Sequence, residues 1–152
     1  MDAAEAGAQH RTTRDRDRGI RALSADECLS RLAVAAIGRL GFVSAEGVEI
    51  LPVNYRLGTG RRLFLRTQPY GLVGQLAERG ARVAFEVDYH GGDLQIGWSV
   101  LMQGVISRLD RDATAAYAEL RRSVDPWPGY PDARPVQFVP RTISGRSVHR
   151  NG

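Results

Sequence analysis

Apolar positions near the start of the chain follow the spacing of an amphipathic helix. Ser24 and Glu27 stand three residues apart, the arrangement in which each side chain satisfies the backbone N–H of the other at a helix start. Apolar residues from Cys28 to Ala36 then recur at helical spacing, and Gly38 is a typical residue to end a helix. The pattern predicts a first helix in which Cys28 packs against a core.

The spacing then changes to the alternation of β-strands. Short loops containing glycine join the first three strands, which is typical of an antiparallel meander. Pro52 cannot donate to a strand ladder and therefore marks an edge or a bulge. Two further helices are expected, one within 68–80 and one opening at Asp110. The alternating segments are 39–44, 48–55, 62–67, 82–88 and 97–109, with one or two closing strands over 136–148.

This order of elements predicts a mainly β protein with interposed helices, an α+β fold in which six or seven antiparallel strands form a small barrel. Residues 1–20 are polar and rich in arginine, so they predict a flexible N-terminal arm with little to bury. Residues 21–152 form one domain of ordinary size. The chain has no apolar run long enough to span a bilayer and no stretch resembling a signal peptide, so we expect a cytoplasmic protein.

Composition excludes several kinds of chemistry. All 21 basic residues are arginine, so lysine cannot form a Schiff base or a phosphate-binding loop. Cys28 is the only cysteine, and His10, His90 and His149 are far apart, so we expect no disulfide and no metal site. The net charge of +4 comes with a cluster of arginines in the arm, which is the only support for a nucleic-acid binder, and we do not favour that reading.

The sequence lacks the familiar catalytic patterns. It contains no nucleophile elbow, no Walker loop and no dinucleotide-binding glycine motif after a strand. No catalytic residue can be assigned from spacing. A small barrel without acid–base machinery is a candidate for chemistry performed by a bound cofactor.

Several segments, in order, resemble the pyridoxamine 5'-phosphate oxidase-like family. They cover about residues 22–148, and one of them begins with the Gly-Trp-Ser-Val sequence of a bacterial subgroup. This resemblance implies an FMN-binding split β-barrel of six strands and a homodimer with its cofactor site between subunits. The segments are Leu51–Arg56, Leu63–Thr67, Arg82–Asp88, Gly97–Val105, Pro126–Trp127 and Val139–Arg146.

The resemblance also implies site residues. The second strand would lie along the flavin ring and offer backbone contacts from Leu51, Pro52, Val53, Asn54 and Tyr55. Arg66 and Thr67 would hold the cofactor phosphate, for which a guanidinium and a hydroxyl are chemically suited. The resemblance also implies that Trp98 and Ser99 lie near the cofactor and that a proline-rich loop containing Trp127 covers the site.

One segment departs from the family pattern. Where the family places a serine and a lysine that clamp the phosphate, this chain has Gly71 at the serine position and Leu72 or Val73 at the lysine position. Backbone amides at the next helix start, Arg66 or Arg79 would then have to compensate. Three functions stay open: an FMN-dependent oxidoreductase with an unassigned small-molecule substrate, a deazaflavin-dependent reductase, and a non-catalytic cofactor-binding or sensing module.

Overall fold

The computed structural model describes residues 19–68, 70–92, 96–123 and 132–149. Within these ranges the chain forms seven strands and three helices, with a short 3-10 turn at Thr59–Arg61. The elements are β1 Ile20–Leu23, α1 Ala25–Val34, β2 Ile37–Ser44, β3 Gly47–Leu57, β4 Leu63–Thr67, α2 Leu72–Glu78, β5 Arg82–His90, β6 Ile96–Ser107, α3 Arg111–Ser123 and β7 Arg134–His149.

Six of these strands close into a barrel. Their order is β7-β4-β3-β2-β5-β6, and β6 pairs again with β7, while β1 is added outside this ring as a further partner of β7. Every pairing is antiparallel. The predicted six-stranded antiparallel barrel with interposed helices is therefore confirmed.

The last strand holds the barrel together. The first residues of β7, Arg134–Phe138, pair with β4, and the stretch from Gln137 to His149 pairs with β6. β7 can pair with both neighbours because it lies between β4 and β6 at Gln137 and Phe138 and is long enough to continue along β6 beyond them. The closing region is thus one strand, one of the two arrangements expected for it.

The start of the domain shows one confirmed and one wrong prediction. The capping box exists: Ser24 Oγ accepts from the N–H of Glu27 at 3.2 Å, and Glu27 Oε2 accepts from the N–H of Ser24 at 2.8 Å. However, α1 already ends at Val34, and Gly38 lies inside β2. A Cβ at Gly38 would overlap the Phe85 ring, so this glycine serves close packing rather than helix termination.

The barrel interior is filled by alternate residues of the strands, among them Leu40, Phe85 and Phe138, all fully buried. Tyr55 joins this core, and its hydroxyl donates to Leu32 O at 2.8 Å, which ties β3 to α1. Cys28 is fully buried in the same cluster, so the prediction that it packs is confirmed.

The arm and the location of the protein remain predictions. Residues 1–18 of the proposed 1–20 arm lie outside the described ranges, and β1, which was not predicted, begins at Ile20. No helix among the described residues is long and apolar enough to cross a membrane.

Candidate functional site: a free strand edge and an outer groove

One edge of β3 is left without a neighbour over most of its length. β2 pairs with β3 along Gly47–Asn54, whereas β4 pairs only with Tyr55–Leu57. Among the described residues, no strand lies beside β3 on the β4 side before Tyr55. This interruption is the split in the barrel.

The backbone groups that face the free edge can be identified. Tyr55 N–H donates to Ala36 O at 3.0 Å, on the β2 side. Because residues of an antiparallel strand alternate between their two neighbours, the backbone groups of Ile50, Pro52 and Asn54 face the other side. Pro52, which has no N–H, stands where no donor is needed for the β2 ladder. Its edge position, predicted from the sequence, follows from this register.

The side chains of the same segment divide between two faces. Leu51, Val53 and Tyr55 pack into the barrel core. Pro52 and Asn54 are exposed on the outside. The segment therefore offers a ligand its backbone at the edge and only two of its five predicted side chains.

The residues expected at the phosphate are only partly assembled. Thr67 is buried, its hydroxyl donates to Gln68 O, and a Cβ at Gly71 would lie 3.2 Å from Thr67 Oγ1. Arg66 lies on the opposite face of β4, and its Nη2 donates to Ala133 O at 3.0 Å. The buried Nε of Arg66 has no acceptor among the described residues. Leu72 is 41% exposed beside Gly71 and brings no charge.

The two β6 residues of the predicted site point in different directions. Trp98 points inward and stacks on Tyr89, with the two ring centroids 6.2 Å apart. The Arg31 guanidinium lies over the Trp98 ring, 5.7 Å from its centroid. Ser99 faces outward opposite Asp88 of β5. The structure thus does not bring Trp98 and Ser99 to one surface. Trp127 lies outside the described residues.

A groove that the sequence reading missed lies on the outside of the barrel. It has a volume of about 820 Å³ and crosses β3, β2, β5, β6 and β7. Its apolar floor consists of side chains left exposed on the sheet. The only signal for it in the sequence is that both faces of β2 and β3 carry apolar residues. The lining includes Val43, Val48, Ile50, Leu101, Arg39, Arg82, Glu86, Gln103, Arg141 and Thr142.

An ion-pair network borders this groove. Arg39 Nη1 lies 2.6 Å from Glu86 Oε2 and 2.6 Å from Asp88 Oδ1. The hydrogen bond from Arg39 is the main reason that the pKa of Asp88 falls below its usual value. Asp88 Oδ2 also lies 3.2 Å from His90 Nε2. In the described ranges, no three carboxylate, histidine or cysteine side chains cluster in a way that could hold a metal ion.

Comparisons with known proteins agree with this fold. The uncharacterised protein Rv0080 of Mycobacterium tuberculosis is 30% identical over 127 residues, which cover 81% of this chain and 82% of Rv0080. The FAD-binding protein of Mycobacterium smegmatis superposes with a TM-score of 0.71 at 28% identity, over 85% of this chain and all 100% of that one. An FAD-binding protein of Mesorhizobium loti, at 23% identity, TM-score 0.66 and coverages of 85% and 98%, shows the fold alone.

The family assignment rests on sequence as well as on fold. The family model described as pyridoxamine 5'-phosphate oxidase matches residues 24–147, from the cap of α1 to the last residues of β7. That stretch contains the free β3 edge, the β4 end and all the described strands except β1. The chain belongs to the pyridoxamine 5'-phosphate oxidase family.

Proposed function

We propose that this protein binds a flavin-type cofactor, FMN in the first instance, along the free edge of β3. The observation that carries the proposal is the unpaired stretch of β3 beside an open groove of about 820 Å³. Pockets that hold small-molecule cofactors commonly measure about 300–1,000 Å³. The FAD-binding protein of Mycobacterium smegmatis, at 28% identity, supports a flavin as the occupant.

Backbone groups would make the contacts to the ring. The N–H of Ile50 and the C=O of Pro52 face the free edge, and a flavin ring carries both acceptors and donors along its pyrimidine side. An unpaired strand edge supplies these groups at fixed spacing, which favours a planar ligand with a matching pattern. Mobile side chains are not needed for this part of the contact.

The phosphate would lie at the end of β4. Arg66, whose buried Nε has no acceptor among the described residues, lies on the face of β4 opposite Thr67, so one phosphate cannot contact both side chains, and we place the phosphate on the Thr67 side. Thr67 and Gly71 lie against each other at this end of the strand, where a phosphate would meet the Thr67 hydroxyl, now bonded to Gln68 O, and the first N–H groups of α2. Leu72 offers no cation there, and we expect the phosphate to add less affinity than it does in relatives with a lysine.

The bound flavin would supply hydride or electron transfer, so we assign the protein to the oxidoreductases. The residues of this chain would position the ring and exclude water from it. The residues of the site do not identify a substrate. The absent cation at Leu72 favours, as a second candidate, a module that binds its cofactor without catalysis.

We also propose a two-fold homodimer that covers the outer face of the barrel. Exposed apolar side chains are concentrated there, among them Val43 at 71%, Val48 at 80% and Ile50 at 68% exposure. A contiguous apolar patch of this kind is typical of an interface, and an isologous contact would enclose the groove between two copies. Light scattering at micromolar concentration should give twice the chain mass of 16.7 kDa. A monomer mass would contradict the dimer.

Fluorescence titration of the purified protein with FMN, riboflavin, FAD and a deazaflavin tests the cofactor proposal. We expect saturable quenching of FMN with micromolar or tighter affinity. Binding of the deazaflavin alone would instead favour the deazaflavin-dependent reductase. Binding of none of the four would contradict a flavin-type cofactor altogether. If FMN binds but no electron donor reduces it faster than free FMN, the non-catalytic module is the better description.

A further inference from the structure

A β-bulge in β7 directs an arginine into the outer groove. Gln103 of β6 pairs with Thr142, but the next residue, Gly104, pairs with Pro140. Arg141 is therefore the extra residue of β7 and has no partner on β6. Arg141 and Thr142 are both exposed on the outer face, although neighbouring residues of a regular strand would point to opposite sides.

The bulge is a fixed feature of the barrel because glycine is required opposite it. A Cβ at Gly104 would overlap Val139 O and lie 2.9 Å from Pro140 Cα. Both neighbours are backbone atoms, so they cannot move aside as the tip of a flexible side chain could. The sheet thus keeps Arg141 turned towards the groove rather than along the ladder.

A second guanidinium lies at the same end of the groove. Arg82 of β5 stands opposite Val105 of β6, which in turn stands opposite Val139 of β7. Two strand spacings, about 10 Å, separate the backbones of Arg82 and Val139, and Arg141 lies two residues further along β7. Two arginine side chains can converge over this distance on one polyatomic anion.

Neither guanidinium is neutralised within the described part of the chain. Arg82 and Arg141 have no ion pair or hydrogen bond there, whereas Arg39 of the same groove is held by Glu86 and Asp88. Glu86, the carboxylate in the lining, is thereby already engaged. The groove therefore combines an apolar floor with two uncompensated positive charges at one end.

We propose that Arg82 and Arg141 form an anion-binding position for the substrate, which would be an apolar molecule bearing a carboxylate, sulfonate or phosphate group. Its apolar body would lie on Val48 and Ile50 inside the groove that the proposed dimer encloses, and the backbone of Ile50 is one of those that face the free β3 edge. This inference rests on the proposed function in one respect: the ligand is a substrate only if a flavin binds beside it. Binding of the anion by the groove does not depend on the flavin.

Two dyes with the same ring system separate charge from apolar contact. The probes are 8-anilinonaphthalene-1-sulfonate and the uncharged N-phenyl-1-naphthylamine, titrated by fluorescence against the full-length protein. Arg141→Ala should weaken the sulfonate about five- to tenfold and change the uncharged dye less than about twofold. Arg141→Lys should retain most of the sulfonate affinity because it keeps the charge.

Controls keep this test independent of folding and of the flavin. Arg111→Ala removes an exposed arginine from α3, which packs outside β4, and should leave both dyes unchanged. Val43→Glu should weaken both dyes because it charges the apolar floor. The proposal is overturned if the wild type binds neither dye, or if Arg141→Ala changes both dyes alike. It is also overturned if that variant only dissociates a dimer without changing sulfonate affinity. Loss of flavin binding with the sulfonate result intact would refute the cofactor proposal alone.

Discussion

Installing the missing cation at residue 72 should strengthen binding of the phosphorylated flavin. Leu72 is the first residue of α2 and is 41% exposed. It follows Gly71, which has no side chain to cap the helix. A lysine there replaces little buried surface, so Leu72→Lys should fold. A cation at a helix start costs about 0.3–1 kcal/mol of stability, so a small fall in the melting temperature is expected.

The gain in affinity follows from the exposure of the position. A hydrogen bond from a charged donor contributes about 1.5–3 kcal/mol. Partial exposure and screening reduce this to about 1–1.5 kcal/mol, which is roughly five- to twelvefold in the dissociation constant for FMN. Riboflavin has no phosphate and should change by less than about twofold. The advantage for FMN should shrink at high salt, because screening weakens the new pair.

Fluorescence-quench titration of wild type, Leu72→Lys and Leu72→Gln with both ligands measures this effect. The glutamine variant is the matched control because it removes the leucine without adding charge. Equal strengthening of FMN and riboflavin, or no change for either, would mean that residue 72 does not face the phosphate. The β4 end would then be the wrong place for that group.

Three further outcomes follow from the fold. Gly104→Ala should lower the free energy of unfolding by about 2–3 kcal/mol and the melting temperature by about 5–10 °C. Gly41→Ala is the control and should change little, because its new Cβ would be in ordinary van der Waals contact. A Gly104→Ala protein as stable as the wild type would refute the tight bulge. Arg21 lowers the pKa of Glu27 to about 2, so this carboxylate stabilises the fold above about pH 4.5 and ceases to do so as the pH falls towards 2. The melting-temperature difference between wild type and Glu27→Gln should therefore shrink across that window, and a constant difference would contradict the pairing. Tyr55→Phe should cost about 1–2 kcal/mol in chemical denaturation because a buried hydrogen bond is lost, and a neutral result would argue against that bond.

Local signals in the sequence predicted the barrel well. The capping box at Ser24 and the alternation of the strands depend on neighbouring residues, and both appear in the structure. The strand that the sequence did not predict, β1, is only four residues long. It is held in place by its pairing with the C-terminal end of β7. Gly38 was misread for a similar reason, since its role is set by Phe85 of another strand. Long-range contacts of this kind leave little trace in a local pattern.

The sequence predicted the site correctly only where the position of a residue follows from backbone hydrogen bonding. Pro52 predicted an edge or a bulge because proline cannot donate to a strand ladder, and the structure places it at the free edge. The orientation of Arg66 and Thr67 on opposite faces follows from their adjacency in one strand, yet the resemblance had grouped them as one clamp. The bulge that turns Arg141 outward depends on the pairing of β6 with β7 and is visible only in three dimensions.

Amide hydrogen exchange along β3, with and without saturating FMN, tests the central claim most directly. Leu51 and Val53 donate towards β2 and should be protected in both states. The amides of Ile50 and Asn54 face the free edge, so they should exchange fast in the free protein and slow by at least about tenfold when FMN is bound. Saturation by FMN without any change at Ile50 and Asn54 would show that the flavin does not lie along this edge.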